Sequence, residues 1–310
     1  MNRTISSLLT ALGVFLLLAA YCAAGWLASP EAGERALGTL PAAGTILAGC
    51  ALLYLVNERL LSGSSPLVAI LYIVLATARP AGLFFTPLHA ASLLLAVSVT
   101  AYLLFNSIRT SMGTLVLAWA GLGTAALLAP PLAWLAPVYA VFSVRKTDEK
   151  MRFWVAALLA FILPLAVWTG INYLRGGDSP GEILQGLWSG MCAAQRPSFS
   201  YPAVSLCRMA LTTLVVILAV FHVGARLDSY KTAQFHACLR LIILTLALSL
   251  LVLFFYFRPG LPAGLLTALP AAPLLGEYFS HTARNKRAGT LAIILGLVLA
   301  AERASFFVNL

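Results

Sequence analysis

Along most of this chain polar residues do not alternate with apolar ones. They interrupt long apolar runs, and each run of about 20 residues is enough for a helix to cross a ~30 Å hydrocarbon core. Eleven such runs are predicted as spanning helices, over 5–28, 40–57, 66–85, 88–107, 112–128, 130–144, 153–172, 202–224, 239–257, 261–280 and 288–308. Ten to twelve spans bracket that reading. Two runs carry punctuation: Arg79-Pro80 lies within the third, and Pro130-Pro131 opens the sixth. Proline also interrupts the seventh at Pro164 and the tenth at Pro270 and Pro273. Inside a bilayer proline is tolerated where neighbours satisfy the carbonyl it frees.

Composition fixes the class. The chain is 61% hydrophobic and 10% charged, against about 25% charged in a soluble domain. The expected fold is an all-α polytopic transmembrane bundle forming a single integral membrane domain, 1–310. Arg3 ahead of the first apolar run mimics a signal peptide ending near Cys22, but Tyr21 stands where cleavage needs a small residue. An uncleaved first span is expected. No internal repeat is visible, so an inverted-repeat architecture is not supported.

The net charge of +10 comes from 20 Lys and Arg against 10 Asp and Glu. These cations sit mostly in short loops, where they orient the chain and meet lipid headgroups. Nucleic acid is therefore not an expected partner; membrane lipids are. With the N-terminus inside, thirteen of the 20 cations fall on the inner side and seven on the outer. The strongest inner anchors are "VRKTDEKMR" (Val144–Arg152) and "HTARNKR" (His281–Arg287). Five Cys and four His are scattered without metal-ligand spacing, so no metal or cofactor is expected.

The longest segment unsuited to lipid is "NYLRGGDSPGEILQGLWSGMCAAQRPSFSYP", Asn172 to Pro202. It predicts a short amphipathic helix within an outer loop, 173–201. Ser179 is the N-cap, Pro180 the first helical residue and Glu182 the partner in a capping box. Ile183, Leu184, Leu187, Trp188 and Met191 share one face, which suits a helix lying along the membrane surface.

Candidate chemistry is sparse. Arg79, Arg175, Arg196, Arg208 and Arg258 fall on the outer side, against the inward bias. Arginine is costly at bilayer depth, and its planar fork matches phosphate. If they converge, these five would hold the phosphate of a lipid-linked substrate; if not, each snorkels or caps a helix end. Glu277 follows Pro273 by one helical turn. Pairing with Arg284 or His281 is the plainer expectation for it, and a transport or proton-coupling role the alternative. The Gly113–Thr124 run of small residues is expected to pack against another helix. There is no nucleophile elbow, phosphate loop or zinc-binding HExxH, and capping accounts for Asp178 and Glu182. Enzymatic activity is neither indicated nor excluded.

"YLVNERLLSGSSPLVAILYIVL" (Tyr54–Leu75), "FFTPLHAASLLLAVSVTAYLLFNSIR" (Phe84–Arg109), "KTDEKMRFWVAALLAFILPLAVW" (Lys146–Trp168) and "PAAPLLGEYF" (Pro270–Phe279) together resemble an uncharacterised polytopic membrane family of Bacteroidota, a domain of unknown function. That resemblance implies a bacterial inner-membrane location and transfers no catalytic residue. Three functions stay open. The chain acts in cell-envelope biogenesis on a polyprenyl-phosphate-linked glycan at the outer leaflet; or it is a transporter or flippase with kinked helices lining a pathway; or it is a scaffold subunit that binds other membrane proteins.

Overall fold

The computed structural model describes residues 32–61, 67–77, 85–105, 111–143, 150–193, 203–257 and 261–282, with residues 290, 294, 297 and 298. Among the described residues it is 90% helical, with ten α-helices and no strand. In chain order these are α1 (Ala32–Leu60), α2 (Leu67–Ala76), α3 (Pro87–Leu104), α4 (Met112–Leu128), α5 (Ala136–Ser143), α6 (Lys150–Leu174), α7 (Pro180–Cys192), α8 (Ala203–Ala225), α9 (Thr232–Leu251) and α10 (Gly264–Thr282). Five stretches are long and apolar enough to cross a membrane: Gly38–Leu60 in α1, Pro87–Leu104 in α3, Met151–Leu174 in α6, Ala203–Ala225 in α8, and Thr232–Tyr256, which is α9 and its π-helical extension. By length and composition these five stretches suit a helical membrane protein. The first predicted span lies outside the described residues, as does most of the last.

Several predicted boundaries change. Within the third run, Leu67–Ala76 is helical and Thr77 is a turn, while residues 78–84, with Arg79 and Pro80, lie outside the described residues. The sixth run divides into a 3₁₀ turn, Pro130–Leu135, and the short α5, because consecutive prolines supply no N–H for an α-helical ladder. The ninth run, predicted over 239–257, is helical from Thr232, so Arg240 lies well inside the helix rather than at its start.

Two ends of the bundle can be told apart. Phe85 N–H donates to Gly38 O (3.0 Å) and Gly264 approaches Leu75 O, which puts the starts of α1, α3 and α10 with the end of α2. At the opposite end Gln234 Nε2 donates to Leu61 O (3.3 Å), joining the start of α9 to the end of α1. α10 runs through the interior, against α2, α8 and α9 and more lightly against α3 and α1. α4 is held between α3 and α6. α6 and α8 lie at the periphery: 11% of the apolar window of α6 is buried, against 67% for α3. Leu158, Leu159, Leu163 and Phe221 project outward there, as side chains facing lipid do.

Lipid is as apolar as leucine, so helix association rests on close packing rather than on expulsion of water. The small residues of α4 serve that purpose. A Cβ on Gly121 would stand 3.0 Å from Ser98 Cβ of α3, and one on Gly123 would strike the Phe161 carbonyl oxygen of α6. Ser98 Oγ then donates to Ala118 O (2.6 Å) and pairs with Tyr139 Oη (2.9 Å), tying α3, α4 and α5 together.

Candidate functional site around Glu277

Glu277 sits near the C-terminal end of α10 and is 1% exposed. Three features of α10 place it there. The helix is enclosed on several sides, so it can carry a carboxylate that a lipid-facing helix could not. Gly276 faces Val68 of α2 with no room for a methyl group, which draws the two backbones together beside the carboxylate. Pro270 and Pro273 supply no N–H to the carbonyls of Leu266 and Leu269, so the middle of α10 lacks two rungs of its ladder.

The neighbours of Glu277 come from α8, α9 and the connection between them. The Tyr230 phenol, in the short segment after α8, lies close to the carboxylate. Its hydroxyl is buried although the residue is only half-buried. Burial, then the charge of Glu277 and the Cys238 thiol, hold that phenol well above its ordinary range, with Arg226 acting in the other direction. Tyr230 therefore stays protonated. Cys238 of α9 also lies near the carboxylate. The next residue along α10, Tyr278, meets the His222 ring of α8 edge-on at 5.2 Å. This corner sets one buried carboxylate near a buried phenolic hydroxyl.

The sequence candidates fare unequally. Arg208 is 6% exposed on α8, buried in protein rather than extended to headgroups. Arg175 is exposed in the turn after α6, where Gly176 adopts φ 74° and Gly177 N–H donates to Asn172 O (3.0 Å). α6 packs chiefly on α4 and α8 chiefly on α10, so the fold does not bring these two arginines onto neighbouring packed helices. Arg79, Arg196 and Arg258 lie outside the described residues, as do Arg284 and the side chain of His281. Among the described residues no group of three His, Cys, Asp or Glu side chains could hold a metal.

Arg240, Tyr230 and Cys238 are not singled out by sequence. Arg240 is 4% exposed, and its Nη1 donates to Tyr102 O (2.9 Å) and Phe105 O (2.6 Å). Its guanidinium lies 5.0 Å from the centre of the Tyr102 ring. It thus caps the C-terminal end of α3, where carbonyl dipoles favour a cation. Asn57 near the end of α1 is buried, while its neighbours Glu58 and Arg59 are exposed.

At the other end of the bundle α7 begins with the capping box the sequence predicts. Glu182 N–H donates to Ser179 Oγ (3.4 Å), and Ser179 N–H donates to Glu182 Oε2 (2.8 Å). The apolar face divides, however: Ile183, Leu187 and Met191 are half-buried, whereas Leu184 and Trp188 are exposed, Trp188 by 62%. Trp134 Nε1 donates to Met191 O (3.0 Å), and Gly190 rests on Pro130, which docks α7 on the 3₁₀ turn.

Comparison with protein-family models, curated proteins and solved structures finds no match.

Proposed function

We propose that this protein is a polytopic membrane transporter in which α10 lines the substrate pathway and Glu277 is the residue that responds to its cargo. The carrying observation is a carboxylate 1% exposed on the innermost helix, one turn beyond a proline. Ionisable groups are expensive within a bilayer and mark pathways more often than they serve packing. Proline-weakened ladders are where spanning helices bend. Eleven spans, an inside N-terminus and α7 lying in the headgroup layer complete this reading, in the cytoplasmic membrane of a bacterium as the family resemblance implies. In that topology Glu277 lies toward the cytoplasm.

The test is a ligand screen on the purified full chain, reading the thermal unfolding midpoint against a panel of small polar solutes. A transported solute should stabilise the parent and lose its effect in Glu277→Gln. A scaffold predicts that no solute separates the two proteins. Topology is tested separately: a reporter fused after Arg287 should act only in the cytoplasm, and one after Asp178 only when exported.

A second reading rests on Arg208, a guanidinium buried on an otherwise lipid-facing helix. It assigns the protein to a lipid-linked phosphate at the outer leaflet. Binding of a polyprenyl phosphate, followed by native mass spectrometry, should then fall in Arg208→Ala and also in Arg208→Lys, which keeps the charge and loses the fork. The transporter reading leaves that binding unaffected.

A further inference from the structure

Resting on the bilayer placement proposed above but not on transport, we infer that α7 is a docked interfacial helix. Leu184 and Trp188 insert below the headgroups of the phospholipid leaflet at which α6 ends, while the rest of α7 faces protein and water.

On α6 the strongly polar residues stand at the two ends. Arg152 is exposed in the first turn, and Asn172 belongs to the last. They are 20 residues apart, about 30 Å at 1.5 Å per residue, which is the thickness of a hydrocarbon core. Exposed aromatic residues gather at these limits, Trp154 at one and Trp168 and Tyr173 at the other. Between the two tryptophans every exposed residue is apolar, among them Val155, Leu158, Leu159, Ile162 and Leu163. Rings with one apolar and one polar end collect where lipid meets water. The two ends of α6 therefore mark two bilayer surfaces, and the turn at 175–179 starts α7 at one of them.

Round α7 three environments follow one another. Measured from Glu182 at about 100° per residue, Ile183, Leu187 and Met191 lie at about 100°, 140° and 180°. Leu184 and Trp188 lie at about 200° and 240°, and Gln185 and Ser189 at about 300° and 340°. The first set is half-buried against protein, where Trp134 Nε1 donates to Met191 O (3.0 Å) and Gly190 meets Pro130. The second set is exposed and apolar; the third, with Glu182, is exposed and polar. A helix lying on a bilayer beside the bundle meets protein on its flank, lipid about a quarter-turn further round, and water over the remainder. A helix held only between protein and water has no use for an apolar stripe between the two. The stripe is two side chains wide, far short of the roughly 800 Å² per side that a stable protein interface covers. Lipid needs no such area, and the same leaflet already meets the exposed rings at the end of α6.

The test is tryptophan quenching of the full chain in phosphatidylcholine vesicles brominated at a shallow or a deep acyl position, with acrylamide as the aqueous quencher. The emission that Trp188→Phe removes is the contribution of Trp188. It should be lost in shallow-brominated vesicles and retained in acrylamide. Leu184→Trp on the parent should add emission with the same response, so the inference stays testable if Trp188→Phe does not fold. Gln185→Trp and Ser189→Trp should each add emission lost to acrylamide alone. Ile162→Trp, midway along α6, should add emission lost most in deep-brominated vesicles. Emission from positions 184 and 188 that acrylamide quenches and bromine does not overturns the inference, because the stripe then faces water. Emission there that neither quencher reaches overturns it too, because a second copy or another protein then covers the stripe. Equal bromine quenching at all four α7 positions removes the stripe and the inference with it. An Ile162→Trp indole quenched only from water overturns the bilayer placement itself. Transport fails separately: bromine-quenched Trp188 with no Glu277-dependent solute removes transport and keeps the interfacial helix, and the converse pair of results does the reverse.

Discussion

Replacing Arg240 should cost more than replacing any other cation that loops and spans would suggest. The guanidinium gives two hydrogen bonds to carbonyls at the end of α3 and stacks near the Tyr102 ring. Charge-assisted bonds of this kind are worth about 1.5–3 kcal/mol each, and a desolvated cation–π contact adds about 0.5–2 kcal/mol. Arg240→Met forfeits both and leaves two buried carbonyls behind, but it also relieves the burial of a charge, a cost of several kcal/mol. Interhelical polar contacts in bilayers run low as well, at about 0.6 kcal/mol on average in one protein. The net expectation is a loss of about 2–4 kcal/mol for Arg240→Met and about half that for Arg240→Lys, which keeps the charge but loses the planar group that lies over the Tyr102 ring. Reversible unfolding in mixed micelles by titration with a denaturing detergent measures this, with tryptophan fluorescence as the probe. A methionine variant as stable as the parent, or more so, would refute the capping argument. Equal stability of the Lys variant would refute its geometric part.

Two further outcomes follow from local geometry. Gly123→Ala should push α6 off α4, because the new methyl meets backbone at Phe161 rather than a movable side chain; overpacking of this kind costs about 1–3 kcal/mol, read in the same unfolding assay, while Gly170→Ala on the open face of α6 should be silent. Hydrogen bonds from Ser179 hold the Glu182 carboxyl below its usual range, so its contribution to capping α7 is present above the ordinary carboxylate value and is lost as pH falls through the lowered one; helix protection by amide exchange should fall over that acid window in the parent and show no such step in Glu182→Gln.

The helical class and five long apolar stretches were legible in the sequence, and where other features were not the reasons are physical. The runs behind α6, α8 and α9 read clearly because they are apolar over most of their length. The start of α9 was misread because a charge conventionally marks a membrane boundary, and no local signal says that Arg240 is matched by carbonyls some 135 residues earlier in the chain. The α7 capping box was legible because it is local, four consecutive residues and their own backbone. Which half of its apolar face meets protein was not, since that depends on Pro130 and Trp134. Glu277 could be nominated by its type alone. Tyr230 could not, because an aromatic in a polar connection reads as an interface residue until the fold carries it to the carboxylate.

The enclosure of α10 has a consequence for how the chain is made. Its two prolines, its glycines and Glu277 leave it outside the set of helices apolar enough to span by composition. A segment leaving the ribosome partitions into lipid on its own hydropathy, with a carboxylate penalised by about 2.5–3.5 kcal/mol near the bilayer centre. α10 is thus a poor client of the insertion machinery when presented alone. Its natural route is to enter late, into a slot already walled by α2, α8 and α9, whose surfaces replace lipid as its solvent. Synthesis order provides for this, since those three helices precede it in the chain. In a membrane, assembly of this protein would then be templated, the early helices acting as an internal chaperone for the helix that carries Glu277.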